Sequence, residues 1–205
     1  MLRRFYTYPM SQLFPDRLDS AQLQFSCLRP EDAHALCTYR SLIEVARYQY
    51  WDTFGPAEAA QLIESQSGSE PNIPGTWFQL AIVKTATDCV IGDCGLHCQK
   101  DNPCQMEIGI TLAPRYQGYR YADEVVECLL QYVFGSLKKH RVFANIDVLN
   151  RSAVALCLRM GFRQEAHFLE HRWFKGKWQS EYVFAMLKRE WEDFLSHHNS
   201  DRQIS

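Results

Sequence analysis

Glu107-Ile108-Gly109-Ile110-Thr111-Leu112-Ala113-Pro114-Arg115-Tyr116-Gln117-Gly118-Tyr119-Arg120-Tyr121-Ala122-Asp123-Glu124 is the stretch on which the fold turns. Glu107 to Leu112 reads as a strand ended by Pro114. From Ala122 onward Val125, Val126, Leu129, Leu130, Val133, Phe134 and Leu137 recur at helical spacing, with Lys138, Lys139 and His140 where the helix dipole favours cations. A strand therefore enters a tight loop, and the loop opens directly into a long helix. Unpaired N–H groups and the positive dipole end at such a helix start form an anion site suited to a pyrophosphate. Gly118 lets the backbone approach closely, and Arg115 and Arg120 add charge. An ordinary turn that happens to precede a helix is the plainer reading of the same residues.

Working outward, Leu23 to Leu28 alternates like a half-buried strand, and Arg29-Pro30-Glu31-Asp32 opens a helix expected to run to about Tyr48. A second helix follows Gly55-Pro56 with Ala59, Ala60, Leu62 and Ile63 as its apolar side, and 67–76 is a loop by composition. Trp77 to Lys84 and Val90 to Cys98 form an antiparallel hairpin across the polar turn 85–88. After the long helix, Arg141 to Val148 is a strand, and Asn150 caps a helix whose Val154, Cys157 and Leu158 face inward until Gly161 stops it. Strands around Phe168 to Phe174 and Tyr182 to Leu187, joined by Lys175-Gly176-Lys177, precede a short amphipathic helix carrying Trp191, Phe194 and Leu195. The order predicts an α/β domain with a mixed sheet and helices on its faces. Its expected divisions are an N-terminal arm over 1–22, one domain over 23–196 and a loose tail over 197–205.

The chain has 205 residues, 46% of them hydrophobic, enough for one sizeable core and no second full domain. Lys and Arg number 22 and Asp and Glu 24, spread along the chain to a net charge of −2. That balance gives no single-sign field to grip nucleic acid or an anionic membrane. Arg3 and Arg4 are not followed by the apolar run of a secretory signal, and no stretch reaches the roughly 20 apolar residues of a membrane span. A cytoplasmic protein is expected. Among the eight cysteines, Cys89, Cys94, Cys98 and Cys104 with His97 suggest a metal cluster. On a strand, however, Cys94 and Cys98 share one face while His97 points to the other, so no metal is expected and the thiols read as reduced, buried and apolar in behaviour.

Five ordered elements resemble the GNAT superfamily, specifically its RimJ/RimL-type branch of ribosomal-protein N-terminal acetyltransferases. They are Glu107-Ile108-Gly109, Arg115-Tyr116-Gln117-Gly118, Tyr121-Ala122-Asp123-Glu124, Asn150-Arg151-Ser152-Ala153 and Gly161-Phe162. Leu28 to Ala33, Val90-Ile91-Gly92 and Trp178 through Trp191 extend the match to roughly residues 23–192. The resemblance implies a mostly antiparallel sheet with helices on both faces and two strands, those from Glu107 and Arg141, splayed apart for coenzyme A. Residues near Ile110 and Leu112 would then bond the pantetheine arm through their main chains. Arg115, Tyr116, Gln117, Gly118, Tyr119, Arg120, Tyr121 and Ala122 would hold the pyrophosphate, and Asn150 and Cys157 would lie along the arm. Arg120 stands where the family usually has glycine or alanine. Cys157 stands where many members place the tyrosine that protonates the leaving thiolate.

The implied reaction is direct acetyl transfer from acetyl-CoA to a primary amine. It needs a neutral amine, a polarised carbonyl and a proton for the departing sulfur. Glu107 is the candidate base, acting through water, although a strand carboxylate in a structural hydrogen bond reads equally well. Cys157 is the second catalytic candidate, as an acyl carrier or, in the plainer reading, a thiol lining the core or the arm. A protein N-terminus is the expected acceptor, because an α-amine titrating near about 8 is partly neutral at pH 7 and a lysine amine near about 10.4 is not. Arg47, Tyr48, Trp51 and Trp173 are the candidate acceptor-binding residues, with Tyr50, Asp52, His171 and Trp178 in the same cluster. A small-molecule acetyltransferase acting on a polyamine, amino acid or aminoglycoside is the alternative within enzymes. A coenzyme A-binding regulator without turnover is the alternative outside them. Either a monomer or a homodimer is compatible with these readings.

Overall fold

The computed structural model describes residues 18–202, with side chains to 197; residues 1–17 of the expected arm lie outside it. Eight strands form one sheet. In chain order, β1 (Leu18–Asp19), β2 (Leu23–Cys27), β3 (Trp77–Lys84), β4 (Cys89–Cys98) and β5 (Gln105–Leu112) make an antiparallel half. The other half, also antiparallel within itself, runs β6 (Arg141–Asp147), β8 (Lys177–Leu187), β7 (Arg163–Phe174). The end of the expected arm is thus part of the sheet: Leu18 and Asp19 pair with Phe25 and Gln24.

The two halves meet in a single parallel ladder, Gln105↔Arg141, Met106↔Val142 and Glu107↔Phe143, and it stops there. Beyond Glu107 the strands diverge, β5 continuing along β4 and β6 along β8.

Strand alternation assigns the faces. Leu80, Ile82, Cys94, Leu96, Met106, Ile108, Val142, Phe184 and Met186 point to one side and pack with Val125, Val126, Leu129 and Leu130 of the helix Tyr121–Leu130. That helix continues into a π-helical turn over Gln131–Ser136, which seats Tyr132, Val133 and Phe134 in the same core. Lys139 is not a surface cation at the helix end. It is 3% exposed, and its ammonium donates to the Pro103 carbonyl and sits 3.2 Å from the Cys98 sulfur.

The opposite face is covered by α1 (Ala33–Arg40), α2 (Ile43–Ala46) and α3 (Pro56–Gln66), and the long helix is α4. The single helix expected to reach Tyr48 is broken: a 3₁₀ turn at Pro30–Asp32 precedes α1, and Leu42 is extended, with φ −69° and ψ 131°. Asp93 on β4 holds α1 in place. Its carboxylate takes Arg40 at 2.5 Å, the Tyr39 hydroxyl at 2.5 Å and the Gln79 amide at 2.6 Å. On α3, Ala59 is buried, Leu62 and Ile63 are half-buried, and Ala60 faces solvent.

The Asn150 cap forms as expected, its side chain accepting from Ala153 N at 3.2 Å to start α5 (Arg151–Arg159). Inward from α5 point Cys157, Met160 and partly Leu156, whereas Leu158 is exposed. The last helix, α6 (Lys188–Arg202), continues through the stretch expected to be a loose tail as far as Arg202.

Candidate active site

The parting of β5 and β6 leaves main-chain groups aimed into the gap. Gln105 O and Ala113 N bond toward β4, so by alternation Met106, Ile108, Ile110 and Leu112 direct their main-chain groups toward β6. The ladder uses these groups only as far as the rung at Glu107. The Leu112 carbonyl is taken by the Gln117 side-chain amide at 3.0 Å. The main-chain groups of Ile110 and the N–H of Leu112 are then left facing the opening, where an extended amide-bearing ligand can pair as an added strand.

At the wide end of the gap stands the loop before α4. Gly118 has φ +82° and open space where a Cβ would stand. Among the described residues, the N–H groups of Gly118, Tyr119 and Arg120 donate to no backbone acceptor, and Tyr121 and Ala122 begin the first turn of the helix. Arg120 itself is left-handed, φ +64°, ψ 10°, which explains why glycine suits this position. Its side chain folds away from the loop backbone onto Asp123 at 2.9 Å, and Asp123 also binds Arg159 of α5. Burial alone would raise the Asp123 carboxyl, but the Arg159 and Arg120 guanidiniums outweigh it and hold the group below its ordinary value. Arg115 lies over the Tyr116 ring, 4.9 Å from its centre, and is exposed.

At the narrow end, on the face of α1–α3, Glu107 is held at both oxygens. Asn145 of β6 donates to Oε1 at 2.8 Å, reaching across the parted strands, and His97 Nδ1 faces Oε2 at 3.5 Å. Gln99 contacts the same ring nitrogen at 3.1 Å, and Trp77 stacks on the imidazole with ring centres 5.0 Å apart. Gly95 and Gly109 are opposite each other in the register and form a floor under Trp77. A Cβ on Gly95 would stand 2.9 Å from the indole, and one on Gly109 3.8 Å from it.

Within reach of the Glu107 charge stands Tyr50, 62% exposed as a residue. Desolvation of its hydroxyl end, then the charges of Glu107 and Glu181, hold the phenol above its ordinary value. Glu181 is matched by Arg172 at 2.5 Å and by His171 at 2.8 Å, and the Arg172 guanidinium lies over both the Tyr50 and Phe174 rings.

The residues expected to bind the acceptor divide. Trp51 packs under the Arg40 guanidinium and against Phe54, its indole N–H donating to the Arg40 carbonyl at 3.0 Å, so it braces α1. Tyr48 donates to the Leu149 carbonyl at 3.1 Å and ties this segment to the turn before α5, with Arg47 over its ring. Trp173 is 61% exposed at the hairpin tip, in an edge-to-face pair with Trp178. Asn145 and His97, which contact Glu107, and Arg172, which lies over Tyr50 and bonds Glu181, are not among the sequence candidates for the acceptor site, and neither is Glu181. The alternation Phe143, Asn145, Asp147 along β6 was the one signal that put Asn145 on the face of Glu107.

Cys157 lies in the core beneath the gap, and burial pushes its thiol up to about 12. It keeps its proton at neutral pH and offers no thiolate nucleophile. On β4, Cys94 and Cys98 are buried on the α4 side, opposite His97, and among the described residues no three His, Cys, Asp or Glu side chains converge as a metal site. No helix among those residues is long and apolar enough to cross a membrane.

A sheet parted after three rungs, with a glycine loop and helix start at its wide end and a carboxylate at its narrow end, suits a coenzyme A-dependent acyltransferase. The chain belongs to the GNAT acetyltransferase family: residues 22–163 match the family described as Acetyltransferase (GNAT) domain. It is 30% identical to the uncharacterized N-acetyltransferase p20 of Bacillus licheniformis, over 89% of this chain and 99% of that protein. Its fold is similar to a GNAT-family acetyltransferase of Bacillus anthracis, with TM-score 0.77 and 21% identity over 84% of this chain and 99% of that one. It is also similar to the spermidine N-acetyltransferase of Vibrio cholerae solved with CoA and spermine, with TM-score 0.71 and 20% identity over 84% and 99%. The protein is accordingly an acetyl-CoA-dependent N-acetyltransferase.

Proposed function

We propose that this enzyme acetylates the α-amine of a protein N-terminus, in the manner of the RimJ/RimL-type branch. The observation that carries the reading is the charge state of the acceptor face. Asp93 is matched by Arg40 and Glu181 by Arg172 and His171, and Asp147 accepts the Leu149 N–H while keeping its charge; at the apex of the gap the immediate partners of Glu107 are the neutral Asn145 amide and an imidazole. A single ammonium suits the one carboxylate at that apex. The exposed Tyr50, within reach of the Glu107 charge, offers apolar contact to the residues that follow an N-terminus.

In this reading the main chain of Ile110 and Leu112 pairs with the pantetheine arm. The loop from Arg115 through Ala122 takes the pyrophosphate, and Asn150 and Cys157 border the arm. Glu107 removes the amine proton, directly or through one water, while the Asn145 amide orients its carboxylate. Main-chain N–H groups on the free edge of β5 polarise the thioester carbonyl. Cys157, with its tightly held proton, is a lining group in this scheme.

A polyamine acceptor is the second reading, motivated by the spermidine N-acetyltransferase likeness. A panel of N-terminal peptides, spermidine, free amino acids and aminoglycosides, scored by release of CoA thiol, tests both. Turnover of peptides with a free α-amine, and none of Nα-blocked peptides that keep a lysine, is the expected result. Preference for spermidine would overturn it, and tight CoA binding with no thiol release on any amine would instead mark a regulator.

A further inference from the structure

We propose that His97 is the exit relay for the proton that Glu107 collects, a role acting through Glu107 and resting on its assignment as the base. Acetylation of an ammonium by a thioester yields an amide, a thiol and one surplus proton, which must reach solvent before the next turnover. Glu107 is poorly placed to release it, since its side chain is only 13% exposed and Asn145 occupies Oε1. Oε2, by contrast, faces Nδ1 of His97, the directly opposite residue of the neighbouring strand.

The separation of 3.5 Å is too long for a strong hydrogen bond in the resting state, and the chemistry explains why. Gln99 Nε2 stands 3.1 Å from Nδ1, and with the amide as donor this assigns Nδ1 as the ring's acceptor and the ring proton to Nε2. An ionised Glu107 and an Nδ1 lone pair have no proton between them. Once Glu107 takes a proton from the amine, its O–H becomes a donor to Nδ1 and displaces the Gln99 amide from the single lone pair of that nitrogen. The carboxyl proton passes to Nδ1, the Nε2 proton leaves to water, and exchange with solvent restores the starting tautomer; one proton enters the pair and one leaves.

Two further observations fit a relay. His97 is more exposed than Glu107, at 22%, and Nε2 has no hydrogen-bond partner among the described residues, so its outward nitrogen is available to water. Trp77 stacks on the ring within 13° of parallel and limits its rotation, which holds Nδ1 toward the carboxylate.

The test compares wild type with His97→Ala, His97→Gln and Glu107→Gln. The acceptor is whichever member of the amine panel the wild type acetylates, and CoA thiol release is followed in weak buffer and with added imidazole. His97→Ala and His97→Gln should each lower kcat about tenfold, a part of what a general base contributes, with KM for acetyl-CoA changed less than about twofold. Imidazole should restore His97→Ala, where the ring has left room, and should not restore Glu107→Gln. Full activity of both His97 variants, or a loss in His97→Ala that imidazole leaves untouched, would overturn the relay. Glu107→Gln retaining wild-type turnover would instead overturn the base on which the relay rests. Calorimetric titration with CoA checks that each variant is folded.

Discussion

Asn145 and Glu107 join hands across the two strands where those strands stop pairing, with Nδ2–Oε1 at 2.8 Å and Asn145 two residues beyond the last paired residue, Phe143. The bond keeps the carboxylate at the apex of the gap. Glu107→Gln is expected to lower kcat by about 10²-fold or more with CoA affinity unchanged, and Asn145→Ala by a smaller factor. Steady-state thiol release together with calorimetry separates the two effects.

Arg120 occupies a left-handed conformation without being glycine. Arg120→Ala and Arg120→Gly both remove the Asp123 contact, but only the glycine relieves the backbone. The glycine variant should be more stable than the alanine variant by about 1 kcal/mol, read from paired urea unfolding curves. Equal stabilities would mean that the loop relaxes at no cost.

The buried Arg40–Asp93 pair should behave as a coupled unit, each side chain being at most 4% exposed as a residue. Breaking it from one side, by Asp93→Ala, leaves a buried guanidinium and is expected to cost about 3–5 kcal/mol. The double change Arg40→Met with Asp93→Leu should recover much of that loss in the same unfolding assay, with Tyr39 and Gln79 limiting the recovery.

Asp123 sets an acid-side dependence. Because its folded-state value lies below the ordinary 3.8, its contribution is complete above that pH and is lost as the pH falls through the lower folded value. Thermal melts of wild type and Asp123→Asn should therefore differ near neutrality and converge in strong acid.

Gly109→Ala tests the floor of the pocket. Its Cβ would meet Trp77 at an ordinary 3.8 Å, so the protein should fold, with acceptor KM raised several-fold and acetyl-CoA KM unmoved. Gly92→Ala, whose Cβ would stand 2.2 Å from the Thr111 carbonyl, should be poorly folded by circular dichroism.

The strands and the long helix were legible because their signals are local. Alternation in Trp77–Lys84, the proline after Leu112 and the 3.6-residue period from Ala122 each fall within one element. What escaped depends on partners distant in the chain. Nothing near Arg40 says that it will be buried, since its counter-charge stands 53 residues away on β4, and the same holds for Lys139 with Cys98, 41 residues away. The break at Leu42 follows no proline or glycine. At the site, the Gly118 loop announces itself through glycine and position, whereas the Glu107 surroundings come from three strands. The packing of Trp51 on Arg40 and Phe54 is likewise invisible in composition, which does not distinguish a brace from a wall.

Five strands on one side and three on the other are stitched along a seam only three residues long. A small rotation about that seam would change the width of the wedge while leaving every antiparallel rung intact. The clasps nearest the seam, Arg141 on Gln105 at 2.6 Å and Asn145 on Glu107, therefore set the aperture more directly than the hydrophobic interior does. The mouth of the wedge is thus pinned from its narrow end by two polar contacts, with one continuous apolar core beneath both halves.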